Sequence, residues 1–313
     1  MKSISIVIPA YNESECIPEL TSRLINVMNK CDQYSWQVLI VENGSTDDSW
    51  KKLNEIARID NRFKLIKLSR NFRMDGGLTA GLEFVNSDAC ILMTADLQDP
   101  PEFIPTMIQK WEEGYENVYG IVTKREGTNP IRRLNSLMFY KIAGSLTNGG
   151  IPENASDFRL VDRRVYEVVR TMTERNRFVR GLFAWVGFKS VGIPMVREPR
   201  FAGESNAHSL KVIELAFKGI FAHSYKPLRF ISIFGVALFG ISLFALVGLS
   251  VVWLSNGVPF AGFGSIIALI LCGFGFQALL LGIVSEYLAM IYEEAKARPN
   301  YIVAETYGIP ELR

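Results

Sequence analysis

Between positions 230 and 285 the chain carries no Asp, Glu, Lys, Arg or His. A membrane-spanning helix needs about 20 consecutive apolar residues, and a charge near its centre is costly. The stretch has room for two such helices, over 230–254 and 261–285, with Ser255-Asn256-Gly257-Val258-Pro259 supplying the turn between them. A buried core hairpin is the competing explanation, but a soluble helix pair keeps a polar face and neither segment has one. Lys218, Lys226 and Arg229 precede the first segment, Lys296 and Arg298 follow the second, and the connecting loop is uncharged. That asymmetry predicts a two-span hairpin over 229–285 in the cell membrane, with both termini in the cytoplasm. Gly235, Gly240, Gly248, Gly273 and Gly275 then mark close helix contacts, which are compatible with a homo-oligomer.

The segments on either side follow from this frame. In 208–223, Leu210, Ile213, Phe217, Ile220 and Phe221 share one helical face, with Lys211, Glu214 and Lys218 on another. Over 208–228 this predicts a juxtamembrane helix in the interface, with a core-packed helix as the alternative. The opening MKSISIVIPAYNE reaches Pro9 and Glu13 too early for a signal peptide, so residues 1–207 are expected to form a cytoplasmic domain, and 286–313 a cytoplasmic tail. A formal net charge of +2 gives no argument for nucleic-acid binding. Cys16, Cys31, Cys90 and Cys272 show no paired spacing, and His208 and His223 have no cysteine partner, so neither disulfides nor zinc are expected.

The first part alternates strand and helix. Apolar runs at 4–8, 37–41, 63–68, 89–93 and 118–123 read as strands, and 14–29, 47–58, 75–86 and 101–113 as helices. This predicts an α/β fold, a Rossmann-like and mostly parallel sheet covered on both faces. Ligands of such sheets bind beyond the carboxyl ends of the strands. Three loops sit there: Pro9-Ala10-Tyr11-Asn12-Glu13, Glu42-Asn43-Gly44-Ser45-Thr46-Asp47 and Thr94-Ala95-Asp96-Leu97-Gln98-Asp99. No G-x-G-x-x-G or G-x-x-x-x-G-K occurs, so neither a usual dinucleotide site nor a P-loop is signalled. Ser45 and Thr46 read as caps of the helix that follows, and Asp99 as the N-cap before Pro100-Pro101.

Several stretches together resemble one family. They are VIPAYNE at 7–13, VENGSTDDS at 41–49, SRNF at 69–72, ADLQDPPE at 95–102, DFRLVDRRV at 157–165, ERNRFVRGLFAWVGF at 174–188, RFAGES at 200–205 and SEYLAMIYEEAKARPNYIV at 285–303. In this order, with a two-span hairpin, they resemble inverting glycosyltransferases of the GT-A fold. The similar branch acts on polyprenyl phosphates: dolichyl-phosphate mannose synthases and bactoprenol glucosyltransferases. The chain departs from that pattern where V-D-D-G-S becomes Val41-Glu42-Asn43-Gly44-Ser45, and where D-x-D becomes Thr94-Ala95-Asp96. Asn206-Ala207-His208 also replaces the usual basic-aromatic continuation.

The resemblance implies roles for particular residues. Pro9, Tyr11, Glu13, Glu42, Asn43, Asp75, Thr94, Ala95 and Asp96 would line the nucleotide-sugar. Asp96, with the Gln98 side-chain oxygen, would hold Mg²⁺ or Mn²⁺, since hard cations take oxygen ligands. Asp157 and Asp96 are the implied catalytic residues. Arg132, Arg133, Arg177, Arg180, Arg200, Ser205 and Lys211 would meet an anionic lipid acceptor, for which the planar donor fork of arginine suits phosphate. Arg177-Phe178-Val179-Arg180-Gly181 stands where processive synthases carry Q-x-x-R-W, which speaks against chain elongation. The implied reaction moves a hexose, best matched by glucose from UDP-glucose, to undecaprenyl phosphate at the cytoplasmic membrane face. Transfer of mannose or another sugar, and a weakly active nucleotide-sugar-binding scaffold, remain alternatives.

Overall fold

The computed structural model describes residues 1–125, 154–175, 177–199, 201 and 262–309, with isolated positions between 237 and 255. Side-chain alternation sets the first strand, β1 (Ser3–Ala10): Ile4, Ile6 and Ile8 enter one core and Val7 the opposite one. Parallel partners β2 (Ser35–Glu42) and β4 (Ala89–Leu92) flank it, with Ile6 opposite both Val38 and Ile91. β3 (Phe63–Leu68) continues the parallel series beyond β2. All four are apolar on both faces because helices cover both. On one side lie α1 (Ile17–Lys30), α2 (Ser49–Ile59) and, after a 3₁₀ turn at Pro101–Phe103, α4 (Ile104–Glu112). On the other lie α3 (Arg73–Glu83), α5 (Arg163–Thr171) and α6 (Val179–Trp185). Every strand and helix expected from the periodicity of residues 1–123 is present.

The remaining strands complete a mixed sheet in the order β7-β5-β6-β4-β1-β2-β3-β8. β6 (Ala155–Asp162) runs antiparallel between β4 and β5 (Asn117–Arg125), and β7 (Ser190–Arg197) runs parallel to β5. β8 (Val303–Tyr307) lies antiparallel to β3, with Tyr307 opposite Leu65. The C-terminal tail is therefore part of the sheet and groups with Met1–Gly219, while Ile220–Ala297 form a second unit. Within that second unit, α7 (Phe263–Lys296) is a 34-residue helix, about 51 Å long at the usual rise. It covers the second segment expected to span a membrane. Leu269, Phe274, Leu281 and Leu288 on it are exposed. Among the described residues no helix is long and apolar enough to cross a membrane, and several side chains of α7 fall outside that description. The expected helix at 208–228 and nearly all of the first segment also lie outside the described residues.

α3 approaches β1 closely enough that only glycine fits at the contact. A Cβ on Gly81 would overlap Val7 Cγ1, and one on Gly77 would come within 2.7 Å of Pro9 Cβ. Gly→Ala inside an exposed helix raises helix propensity by about 1 kcal/mol. At Gly81 the sign is expected to reverse, with overpacking costing about 1–3 kcal/mol. Thermal unfolding of Gly81→Ala checks this, and an unchanged or raised midpoint would contradict the contact.

Candidate active site

The carboxyl ends of β1 and β2 are laced together. Asn12, at φ +54°, accepts a hydrogen bond from the Thr46 N–H through Oδ1 at 2.9 Å, while its own N–H donates to Ser45 Oγ at 3.0 Å. The Glu13 N–H donates to Ser49 Oγ at 3.1 Å. Ser45 and Thr46 thus join two loops and do not cap α2, whose preceding turn is instead closed by Asp47, which accepts from the Ser49 N–H at 3.0 Å. Gly44 has φ +70°, and a Cβ there would lie 2.5 Å from the Arg70 carbonyl carbon. Asn43 fixes the same crossing. Its Nδ2 donates to the Arg73 carbonyl at 2.8 Å and its Oδ1 accepts from the Phe72 N–H at 2.9 Å. The Asn43 amide, expected against the nucleotide, is engaged by the loop that opens α3.

Glu42, at the end of β2, is fully buried. Its Oε1 accepts from the Ser45 N–H, whereas Oε2 has no hydrogen-bond partner among the described residues. Buried polar atoms are rarely left unpaired, so this oxygen is suited to a donor brought by a ligand. Tyr11 is half-buried, one residue beyond β1, whose last residue Ala10 pairs with Glu42.

The loop after β4 is held by Thr94. Thr94 Oγ1 lies 2.7 Å from Asp96 Oδ1 and 3.1 Å from Asp99 Oδ2, and the Gln98 N–H donates to Asp96 Oδ1 at 3.3 Å. Leu97 adopts φ +59° with its side chain buried, an uncommon conformation for a branched residue. Asp99 is not a helix cap. It is fully buried, pairs with Arg197 Nε at 3.2 Å and accepts from Ser156 Oγ at 3.4 Å. Burial pushes its carboxyl up, and Arg197 only partly opposes this. The replaced acid at 94 is therefore a hydroxyl bridging a pinned Asp96 and a buried, already paired Asp99. Asp96 Oδ2 and the Gln98 side-chain amide take no hydrogen bond among the described residues.

This donor set can be tested against a metal. Among the described residues no group of three or more His, Cys, Asp or Glu is placed to hold one. One carboxylate oxygen and a neutral amide suit a hard cation that keeps waters and takes phosphate oxygens, as Mg²⁺ does. They fit a cation arriving with a nucleotide, and do not make a closed protein cage.

Across the loop, β6 carries the second charged cluster. Period-two geometry puts Asp157 and Arg159 on one face. Asp157 is gripped in bidentate fashion by Arg180 of α6, at 2.8 Å to Nε and 2.5 Å to Nη2. Arg159, 3% exposed, sits 5.1 Å over the Phe183 ring and donates to the Ser156 carbonyl at 3.2 Å. Burial pushes the Asp157 carboxyl up, but Arg180, then Arg159 and Arg197, hold it below the ordinary carboxylate range. Ser156, next to Asp157, bonds Asp99, which reaches Asp96 through Thr94. The two clusters are thus connected through Asp99 and the Ser156–Asp157 peptide.

Arg177 and Asp75, also expected at the site, bond backbone groups. Arg177 donates to the Met172 carbonyl at 3.0 Å and the Val169 carbonyl at 2.8 Å, closing the C-terminal end of α5. Asp75 accepts from the Val179 N–H at 3.0 Å, and burial pushes its carboxyl up to about 6. Arg132, Arg133, Arg200, Ser205 and Lys211 lie outside the described residues. Arg159 and Arg197 were not read from the sequence. The alternation in DFRLVD was a usable signal for Arg159, and nothing local announces Arg197.

Residues 5–170 match the family model described as glycosyl transferase family 2. The glycosyltransferase YkcC of Bacillus subtilis is 40% identical over 99% of this chain and 95% of its own length. The SfII prophage-derived bactoprenol glucosyl transferase of Shigella flexneri is 33% identical over 97% of this chain and 98% of its own. Glucosyl-3-phosphoglycerate synthase of Mycobacterium tuberculosis, solved with Mn²⁺, UDP and phosphoglyceric acid, superposes with a TM-score of 0.50 at 18% identity. That match covers 70% of this chain and 76% of the synthase, and shows the shared GT-A fold. With a matched domain over more than half its length and full-length relatives above 30% identity, this glycosyltransferase belongs to glycosyl transferase family 2.

Proposed function

We propose that the enzyme transfers glucose from UDP-glucose to undecaprenyl phosphate, with inversion, at the cytoplasmic face of the cell membrane. The observation that carries this reading is one chain joining two features. One is a pinned Asp96 connected through Thr94 and Asp99 to Ser156, next to the Asp157–Arg180 pair, and the other is a long helix, α7, with exposed Leu269, Phe274 and Leu281. Relatives named bactoprenol glucosyl transferase, aligned over nearly the whole chain, support the lipid acceptor. The UDP and Mn²⁺ in the neighbour's crystal support the donor and the metal. Residues 1–207 with β8 would act on the membrane surface, 208–228 would lie in the interface, and 229–285 would span the bilayer. A lipid acceptor confined to the same surface is presented at raised effective concentration.

In this reading Glu42 Oε2 accepts from the base or ribose, near Pro9, Tyr11 and Glu13. Thr94 and the Gln98 N–H hold Asp96 so that its second oxygen, with the Gln98 amide, faces the diphosphate. Asp96 and Gln98 would hold Mg²⁺ or Mn²⁺, which when bound would supply neutralisation of the charge on the leaving diphosphate. An oxygen of the acceptor phosphate attacks the anomeric carbon, the bond from that carbon to the diphosphate oxygen breaks, and UDP leaves with the electron pair. The second pKa of a phosphate monoester is about 6, so the nucleophile needs no base at neutral pH. Asp157, ionised and held on both oxygens by Arg180, is a poor proton acceptor and a good anchor. It fixes Arg180 toward the acceptor, whose other contacts would come from Arg132, Arg133, Arg200, Ser205 and Lys211.

Purified protein with undecaprenyl phosphate, labelled UDP-glucose or GDP-mannose, and Mg²⁺ or Mn²⁺ tests this directly. Label is expected in the lipid phase from UDP-glucose alone, and to vanish with chelator. Lipid-linked label from the other donor would change the sugar, and none on any lipid would overturn the acceptor.

A further inference from the structure

Asp75 lies in the first turn of α3, yet its Oδ1 accepts from the N–H of Val179, 104 residues along the chain, at 3.0 Å. Val179 is the first residue of α6 and Arg180 the second. The first N–H groups of a helix have no partner within it, and a seven-residue helix does not hold itself. In α6, the Gly181 and Leu182 N–H groups reach the Phe178 carbonyl, and Asp75 takes the Val179 N–H. The strand-like entry to α6 is pinned at a second point, where Asn300 Nδ2 donates to the Glu174 carbonyl at 3.1 Å. Asn300 precedes β8, and its carbonyl oxygen lies 3.1 Å from where a Cβ on Gly76 would stand. The returning tail therefore touches both the residue after Asp75 and the segment that Asp75 caps.

We infer that Asp75 is a positioning residue for the Asp157–Arg180 pair and not a contact of the nucleotide. By fixing the N-terminus of α6 it sets the height of Arg180, which meets Asp157 on β6 through two parallel hydrogen bonds. Such a fork tolerates little displacement. This inference rests on the acceptor role proposed above for that pair.

The test uses the full chain with Asp75→Ala and Asp75→Asn, the second keeping an accepting oxygen. UDP affinity with Mn²⁺, amide hydrogen exchange across 179–183, and the kinetic constants for undecaprenyl phosphate are measured. Asp75→Ala is expected to leave UDP affinity within about twofold, speed exchange across 179–183, and lower kcat/KM for the acceptor about tenfold, the scale of one lost hydrogen bond. Asp75→Asn is expected to recover most of both losses. If Asp75→Ala fails to fold, Val179→Pro removes the same bond from the donor side at a helix position that accepts proline, and the same split is expected. Tenfold weaker UDP binding, or unchanged exchange, would overturn the inference. If the wild type transfers no sugar to lipid, the proposed function fails, while UDP affinity and exchange still decide where Asp75 acts.

Discussion

Asp96→Ala is expected to lower sugar transfer about a thousandfold while the protein still folds and binds UDP in the presence of chelator. The size follows from what a cation does for a departing diphosphate. Charge stabilisation of this kind contributes several kcal/mol, and each 1.36 kcal/mol is about tenfold in rate. Among the described residues no acid of this loop can take over. Asp99 is fully buried and paired with Arg197, and position 94 offers a hydroxyl already shared between the two carboxylates. The proposed ligand is a single free oxygen on Asp96, beside Gln98. The measurement is kcat with UDP-glucose across a Mn²⁺ titration, alongside UDP affinity with and without metal. In Asp96→Ala the metal-dependent gain in UDP affinity should disappear. A variant retaining a tenth of the activity with normal Mn²⁺ dependence would show that the metal is held elsewhere.

The parallel half of the sheet was legible because its strands are continuous apolar runs, and that pattern follows from burial on both faces. β6 and β7 were not, because β6 mixes the half-buried charge of Asp157 and the buried charge of Arg159 into its run and β7 is partly exposed. β8 is five residues with two polar side chains, and its partner lies more than 230 positions earlier, so no local pattern marks it as a strand. The site divides the same way. The loops at 9–13, 42–47 and 94–99 were read from their place after strands. What a side chain pairs with is not legible where the partner is distant. Asp99 looks like a cap to its neighbours, but its counter-ion Arg197 is 98 residues away. Asp75 and Arg177 have the charge expected of ligand contacts, and both serve backbone groups around α5 and α6. Residue type and spacing reveal where chemistry is placed, whereas the assignment of each donor and acceptor depends on pairings set by the fold.

Asp157→Asn is expected to lower kcat about a hundredfold with little change in UDP affinity, and to leave the acid limb of the pH profile where it is in the wild type. The loss comes from Arg180. With the carboxylate gone, that guanidinium meets a neutral amide where it met two charged oxygens, beside the buried Arg159, and loses the fork that fixes its direction. Truncating one side of a charged, hydrogen-bonded pair commonly costs about 3 kcal/mol, and misplacement near reacting atoms is of similar size. The unmoved limb comes from the sign of the pKa shift. Burial pushes the Asp157 carboxyl up, but Arg180, Arg159 and Arg197 together bring it below the ordinary range. It is therefore ionised throughout neutral and mildly acidic pH, and its stabilising charge is lost only at pH values below the usual carboxylate range. Groups that titrate nearer pH 6 are the acceptor phosphate and Asp75, whose carboxyl burial raises to about 6. Asp157→Asn leaves the phosphate in place, and at Asp75 it removes only a lesser upward push, burial remaining the largest cause. A general base would behave otherwise, because its removal would abolish the limb it causes. Rate–pH profiles of the two proteins from pH 5 to pH 8 separate the cases: loss of the limb in Asp157→Asn would make Asp157 the base, and a parallel profile at lower height would make it the anchor of Arg180.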